Sequence, residues 1–344
     1  MMGLKEAGAR AFETIYHALN KKKICRLLLA EDPFDGRVYS IDSFYSAYCQ
    51  YFETPWEFFR DFHYDGAPNL RDGFHPNEVQ PKPTPHARWM IFDSPVKTGW
   101  VENNVVPFKW FRNNSRPSKT ILLFVPGWGR SSQSIEVKMC ERLVSHGIDA
   151  GLLTKPFHQA RTPAGAYTGE YFISANLFWT IANFRQLTAE IRLLIQYMRN
   201  HYDQVGLIGM SSGGFQSALA ADCEEVDFIF PFITGCQLGS ITWNGLITQY
   251  VRAELEKKGV DEASLNKVWS ITDQAVLGRH CKARYRKHYI SLYGRVMPLR
   301  NQILLWDIFG KSDRLDLQSS HYSIYFLMDF VADDIAAYVK RCTP

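Results

Sequence analysis

No stretch of the chain approaches the ~20 consecutive apolar residues that a membrane-spanning helix needs. The segment from Met1 to Ala30 carries Glu, Arg and Lys throughout and has no long apolar run, so no secretory signal is expected. Cysteines number seven, an odd count, and none stands in a C-x-x-C pair. That pattern fits neither a zinc site nor a disulfide framework, and reduced thiols in a cytoplasmic protein are the expectation. Neither sign of charge dominates: 39 basic and 35 acidic residues leave a net charge of +4, too balanced to imply a nucleic-acid partner. The one basic stretch, Arg279 to Lys287, is short and reads as a solvated helix face. There is no Rossmann glycine fingerprint and no P-loop, so no nucleotide cofactor is expected. Internal repeats and low-complexity tracts are also missing.

What is present describes an ordinary globular protein, with 46% apolar and 22% charged residues. A chain of 344 residues accommodates one large α/β domain, residues 86–344, preceded by an extension, residues 1–85. The extension is rich in aromatics: Tyr39, Phe44, Tyr45, Tyr48, Tyr51, Phe52, Trp56, Phe58, Phe59 and Phe62. Their spacing of three and four suits helices with one apolar face. Such helices form either a layer packed on the main domain or a lid over an apolar substrate pocket. Pro76, Pro81, Pro83 and Pro85 then mark an extended connector.

Beyond the connector, strands and helices alternate. Trp89 to Ser94 and Asn104 to Phe111 read as an early hairpin, and Thr120 to Val125 as a strand buried on both faces. A helix with Ser134 as its cap and Gly147 as its stop follows, then a strand from Ile148 to Thr154. Apolar residues recur every three or four positions from Ile173 to Asn200, which predicts a long helix. Val205 to Met210 and Val226 to Ile233 read as strands around a helix from Gly213 to Ala221. Trp243 to Arg286 reads as mostly helical. Tyr289 to Tyr293 and Asp313 to Leu317 read as the last strands, with a final helix from Tyr325 to Val339. This alternation implies a mostly parallel sheet with helices on both faces, and chemistry at the carboxyl ends of its strands.

The most specific motif is Gly209-Met210-Ser211-Ser212-Gly213, a G-x-S-x-G set between an apolar strand and a small-residue helix. A nucleophile on such a sharp turn projects its hydroxyl from the sheet, and the crowding of the turn demands glycine on both sides. Ser211 alone has glycine at both −2 and +2. The helix that starts behind it aims amide groups at the site, so the Ser212 amide is placed to hold a developing oxyanion.

These residues resemble the α/β-hydrolase superfamily over roughly residues 89–340. The likeness is nearest to poorly characterised hydrolase-domain proteins with a motif like Lys155-Pro156-Phe157-His158-Gln159-Ala160-Arg161-Thr162-Pro163. The resemblance implies an α/β-hydrolase fold and the chain order serine, acid, histidine. It puts Pro126-Gly127-Trp128 where the superfamily has His-Gly-x, so the Trp128 amide becomes the second oxyanion donor. It makes His321, after the last strand, the general base and acid that serves Ser211.

The acid is harder to place. If the seventh strand of the fold is Tyr289 to Gly294, the acid position holds Met297; if it is Gln302 to Phe309, Asp313 fills it. Asp313 lies eight residues before His321, fewer than the ~10–12 that a parallel crossover needs, which favours the first register. An acid from elsewhere, such as Asp273, a Ser211–His321 dyad, and a weak or inactive site all remain open. Arg161 on the catalytic edge could clamp a carboxylate or phosphate, and His158 could line the pocket. The expected activity is a serine hydrolase acting on an ester or related acyl bond of a small molecule, with no cofactor and no metal. A non-catalytic binding protein of the same fold and an acyltransferase are the alternatives.

Overall fold

The computed structural model describes residues 2–28, 41–60, 68–78 and 86–343. Tyr39, Phe62 and the connector prolines Pro81, Pro83 and Pro85 lie outside the described residues, as does the side chain of Tyr45. The N-terminal part contributes helices α1 (Met2–Leu28), α2 (Ile41–Glu53) and α3 (Glu57–Arg60), and a short strand β1 (Arg71–Asp72). β2 (Ala87–Asp93) and β3 (Val105–Phe111) form the expected hairpin. Then follow β4 (Thr120–Val125), α4 (Ser134–Ser145), β5 (Asp149–Leu153), α5 (Leu177–Arg199), β6 (Gln204–Met210), α6 (Ser212–Cys223) and β7 (Val226–Phe232). Four short helices, α7 (Leu238–Asn244), α8 (Gln249–Lys257), α9 (Glu262–Val268) and α10 (Gln274–Leu277), precede β8 (Ala283–Ser291). The chain ends with α11 (Leu299–Ile308), β9 (Asp313–Leu317) and α12 (Met328–Cys342).

The strands form one sheet in the order β1-β2-β3-β5-β4-β6-β7-β8-β9. From β5 to β9 all neighbours are parallel; β1, β2 and β3 join antiparallel at one edge. The apolar run of β4 is buried at every position because both of its faces are covered. One core holds Met139 and Leu143 of α4 with Val331 and Ile335 of α12. The other holds Phe184 and Leu187 of α5, Ala218 and Leu219 of α6 and Leu305 of α11. Phe44 of α2 and Phe58 and Phe59 of α3 are buried in this second core, Phe44 meeting Phe178 with 5.0 Å between ring centres. Among the described residues no helix is long and apolar enough to cross a membrane.

Several boundaries differ from expectation, each for a local reason. α5 starts at Leu177, where the Asn176 side chain accepts a hydrogen bond from the Trp179 amide. Ser134 is the first residue of α4 rather than its cap, and Gly147, at φ +83°, ends that turn as expected. The helical expectation up to Arg286 fails at Ala283, where β8 begins. The basic stretch is therefore not a solvated helix face. Lys287 is buried and pairs with Asp334 at 2.6 Å, while the Arg286 guanidinium donates to main-chain carbonyls of Cys281, Ala283 and Phe309. Long side chains can lay their stems on a sheet and satisfy their heads at its rim, which hid the strand pattern.

Candidate active site

Ser211 sits between β6 and α6 at φ 52° and ψ −122°, a backbone conformation that non-glycine residues rarely adopt. Its amide donates to the Phe232 carbonyl at 2.8 Å and its carbonyl accepts from the Gly214 amide at 3.0 Å, so the turn is fixed from both sides. The flanking glycines are required by contact. A Cβ on Gly209 would lie 2.6 Å from the Gly214 Cα, and one on Gly213 would lie 2.3 Å from the Val125 carbonyl oxygen. That close approach brings the start of α6 against the loop after β4, which carries Gly127 and Trp128. Ser212 is the first residue of α6, so its amide has no intrahelical acceptor.

His321 follows β9, and its Nε2 lies 2.9 Å from the Ser211 Oγ. The two side chains, 110 residues apart in sequence, are thus brought within hydrogen-bonding distance. Both are buried, and burial holds the imidazole down, to about 4. At neutral pH the ring is therefore neutral and able to accept a proton. Its Nδ1 has no hydrogen-bond partner among the described residues.

The loop after β8, residues 292–298, carries no carboxylate. With β8 at Ala283–Ser291, the crossover to β9 runs through α11, and Met297 stands in the loop where the sequence placed the acid. Met297 is buried and lines the same cavity as His321. The two weaker candidates have other work. Asp273 accepts from the amides of Gln237, Leu238 and Ala275 at 2.7–2.8 Å, and Asp313 is exposed and pairs with Arg341 at 2.9 Å.

The loop after β5 behaves differently from expectation. Arg161 lies on the catalytic edge but does not line the cavity. It is fully buried, its guanidinium grips both oxygens of Glu190 at 2.7 and 2.8 Å, and it donates to the carbonyls of Asn103 and Thr154. Both terminal nitrogens are taken, and the remaining Nε is buried away from the cavity. His158 is also buried and off the cavity. Its Nε2 accepts from the Gly129 amide at 2.9 Å while its Nδ1 contacts the Pro156 carbonyl at 2.7 Å. It thereby holds the loop that carries Trp128, whose indole donates to the Gly169 carbonyl at 2.9 Å.

Among the buried ionisable groups that sequence reasoning missed, two adjoin Ser212 and His321. Lys155 is wholly buried, donates to the Ser212 Oγ at 2.6 Å and lies 4.2 Å over the Phe172 ring; burial holds its amine well below the ordinary lysine range. It ties the first turn of α6 to the end of β5. The signal was its place at the end of an apolar strand, where a lysine has no water. Glu13 of α1 is also fully buried, against Arg295 and the His321 amide. Nothing in its sequence neighbourhood marks it.

Ser211 and His321 open onto a cavity of about 110 Å³. Apolar walls come from Ile173, Phe215, Leu238, Ile241 and Val296, and α1 closes one side with Tyr16 and Asn20. Arg130 is at the rim, 3.2 Å from Glu136.

Residues 84–277, more than half of the chain, match the family described as alpha/beta hydrolase domain containing 18. The uncharacterized protein YdjC of Bacillus subtilis (strain 168) is 26% identical over 103 residues, which cover 29% of this chain and 85% of that one. Among solved structures, acetyl xylan esterase 1 from Thermoanaerobacterium sp. JW/SL YS485 has a TM-score of 0.62 at 14% identity, covering 84% of this chain and 93% of its own. The acetyl xylan esterase from Paenibacillus sp. R4 has a TM-score of 0.60 at 11% identity, covering 92% and 98%. An acylaminoacyl peptidase of Pyrococcus horikoshii reaches 0.55 at 10% identity over 75% of this chain and 41% of its own. At these identities the likeness to the solved structures is one of fold.

Proposed function

The chain belongs to the alpha/beta hydrolase domain containing 18 family, and from that premise we propose that it is a serine hydrolase cleaving an ester or related acyl bond through an acyl-enzyme on Ser211. The observation that carries this reading is the 2.9 Å contact between Ser211 Oγ and His321 Nε2, at an elbow residue held at φ 52°. The mostly apolar cavity supports an apolar acyl group on a small-molecule substrate.

In this mechanism Nε2 of the neutral His321 takes the Ser211 proton as Oγ bonds the acyl carbon. The carbonyl electron pair moves onto oxygen, where the amides of Trp128 and Ser212 receive it. Collapse expels the leaving group, which takes the proton back from Nε2, and water repeats the sequence to free the acid and Ser211. Among the described residues no carboxylate meets Nδ1 of the imidazolium formed at each step, so turnover is slow for this fold. Lys155 and His158 act at one remove, by holding the segments that carry the two amides.

Hydrolysis of short-chain p-nitrophenyl esters tests the proposal. Ser211→Ala and His321→Ala should each lower the rate by about 100-fold or more. A rate that survives Ser211→Ala would place the chemistry elsewhere. The second reading, a binding protein that kept the pocket, draws on one observation: an apolar Met297 stands where the fold presents its acid.

A further inference from the structure

Serine hydrolases orient their histidine from the ring, through a carboxylate at Nδ1. Among the described residues that handle is missing here, and the histidine loop is held from a different direction. Glu13 lies in the middle of α1, in the N-terminal part of the chain that precedes the family match. Its carboxylate is fully buried. It accepts from the Arg295 amide at 3.2 and 3.0 Å with its two oxygens and from the Arg295 Nε at 3.3 Å. The His321 amide makes a longer contact with Oε1, at 3.4 Å. Arg295 and Met297 belong to the same short loop after β8, so Glu13 bridges the main chain of the acid loop to that of the histidine loop.

Two further contacts tie α1 to the same loop. Tyr16, one turn on from Glu13, stacks on Tyr322 with ring centres 4.0 Å apart, and Phe12 meets Phe326 edge-on at 5.8 Å. Tyr322 directly follows His321. A buried carboxylate is costly unless its oxygens are used, and here they are used on two peptide N–H groups and a guanidinium. Burial pushes its pKa up and those donors pull it down. A salt bridge alone would not need the backbone contacts, because Arg295 is 40% exposed and could be neutralised at the surface.

We propose that Glu13 is a positioning residue for His321: its carboxylate pins the histidine loop to the loop in which this fold otherwise carries the acid, so that the ring meets Ser211 without a partner at Nδ1. The N-terminal helix is then a working part of the site rather than a cover on it. This inference rests on the serine-hydrolase reading above.

The test is steady-state hydrolysis of a short-chain p-nitrophenyl ester by the full chain and its variants, with thermal unfolding recorded for each. Glu13→Ala should lower kcat by about 100-fold, the scale expected when a reacting group is misplaced by about 1 Å. KM should stay within about twofold, since binding in the ground state does not use the ring. Glu13→Gln keeps the shape and one acceptor oxygen and should lose less; it decides the matter if Glu13→Ala does not fold. Glu6→Gln, an exposed carboxylate of α1 paired with Arg10, should match the wild type. Folded Glu13 variants with unchanged kcat, or with a change in KM alone, would overturn the positioning role while leaving the hydrolase reading intact. Absence of any Ser211-dependent hydrolysis in the wild type would remove both.

Discussion

An imidazole that must take up a proton in a dry pocket, with no negative charge at its far nitrogen, is a weak base. Among the described residues this is the situation of His321, held down to about 4 by burial. The consequence for activity has a definite sign. The ring is neutral, and competent to accept the Ser211 proton, at all pH values above about 4, so the acid limb of kcat/KM should fall near pH 4 rather than near the ordinary histidine value of ~6.5. Stability follows the same group. The unfolded chain takes up this proton first, so the contribution of neutral His321 is complete above ~6.5 and is lost as pH falls through about 4. Replacing Met297 by Asp supplies the missing partner. Met297→Asp should raise kcat at least about tenfold and move the acid limb upward, because a carboxylate stabilises the imidazolium. A variant that still unfolds cooperatively but gains no activity would show that Met297 does not face the ring. The geometry was legible in part: the G-x-S-x-G turn pointed to Ser211, the chain order implied by the resemblance pointed to His321, and loop length chose the register in which Met297 follows β8. Glu13 was not, because it meets His321 across 308 residues of sequence and belongs to a helix with no motif.

At the scale of elements, the site is the meeting of α6 with the loop after β4. On the proposed reading, the glycines between them space the Trp128 and Ser212 amides. Gly213→Ala would set a methyl 2.3 Å from the Val125 carbonyl and 2.5 Å from that of Pro126, both backbone atoms that cannot rotate away. The helix must then shift, at a cost of ~1–3 kcal/mol in stability, and the Trp128 and Ser212 amides separate. The expected result is a lower kcat with a modest drop in melting temperature; an unchanged kcat would mean that these amides do not act together. Elements with a single environment were readable. β4 is buried at every position, and β6 and β7 at all but Gln204 and Asp227, and they show as mainly apolar runs. β8 was misread at its start because Arg284, Arg286 and Lys287 look solvated in sequence while the fold gives two of them partners. α5 was started too early because Ile173 and Ala175 are apolar for a different reason: they pack on the core from the preceding loop.

For the whole molecule, the alternation of strands and helices was enough to predict a mostly parallel sheet covered on both faces, and the nine-stranded order bears it out. What alternation does not reveal is where an edge residue points. Arg161 was correctly placed at the catalytic edge, but its partner, Glu190, lies on α5, and together with Asn103 and Thr154 the pair joins three segments inside the protein. Its role is then cohesion. Glu190→Ala strands a buried guanidinium and should destabilise by about 3–5 kcal/mol, whereas removing both charges with Arg161→Met and Glu190→Leu should cost less than Glu190→Ala alone. Equal losses in the two unfolding experiments would contradict a paired, buried origin. The N-terminal residues divide in the same way: the aromatics Phe44, Phe58 and Phe59 enter the main core, while α1 supplies Tyr16 and Asn20 to the cavity.

The central claim is that Ser211 is an activated nucleophile. The most direct measurement is intact-mass analysis after exposure to a fluorophosphonate, comparing the wild type with Ser211→Ala. A single covalent adduct on the wild type, absent from the variant, is the predicted result. An unlabelled wild type that is well folded, or an adduct that persists in Ser211→Ala, would contradict it.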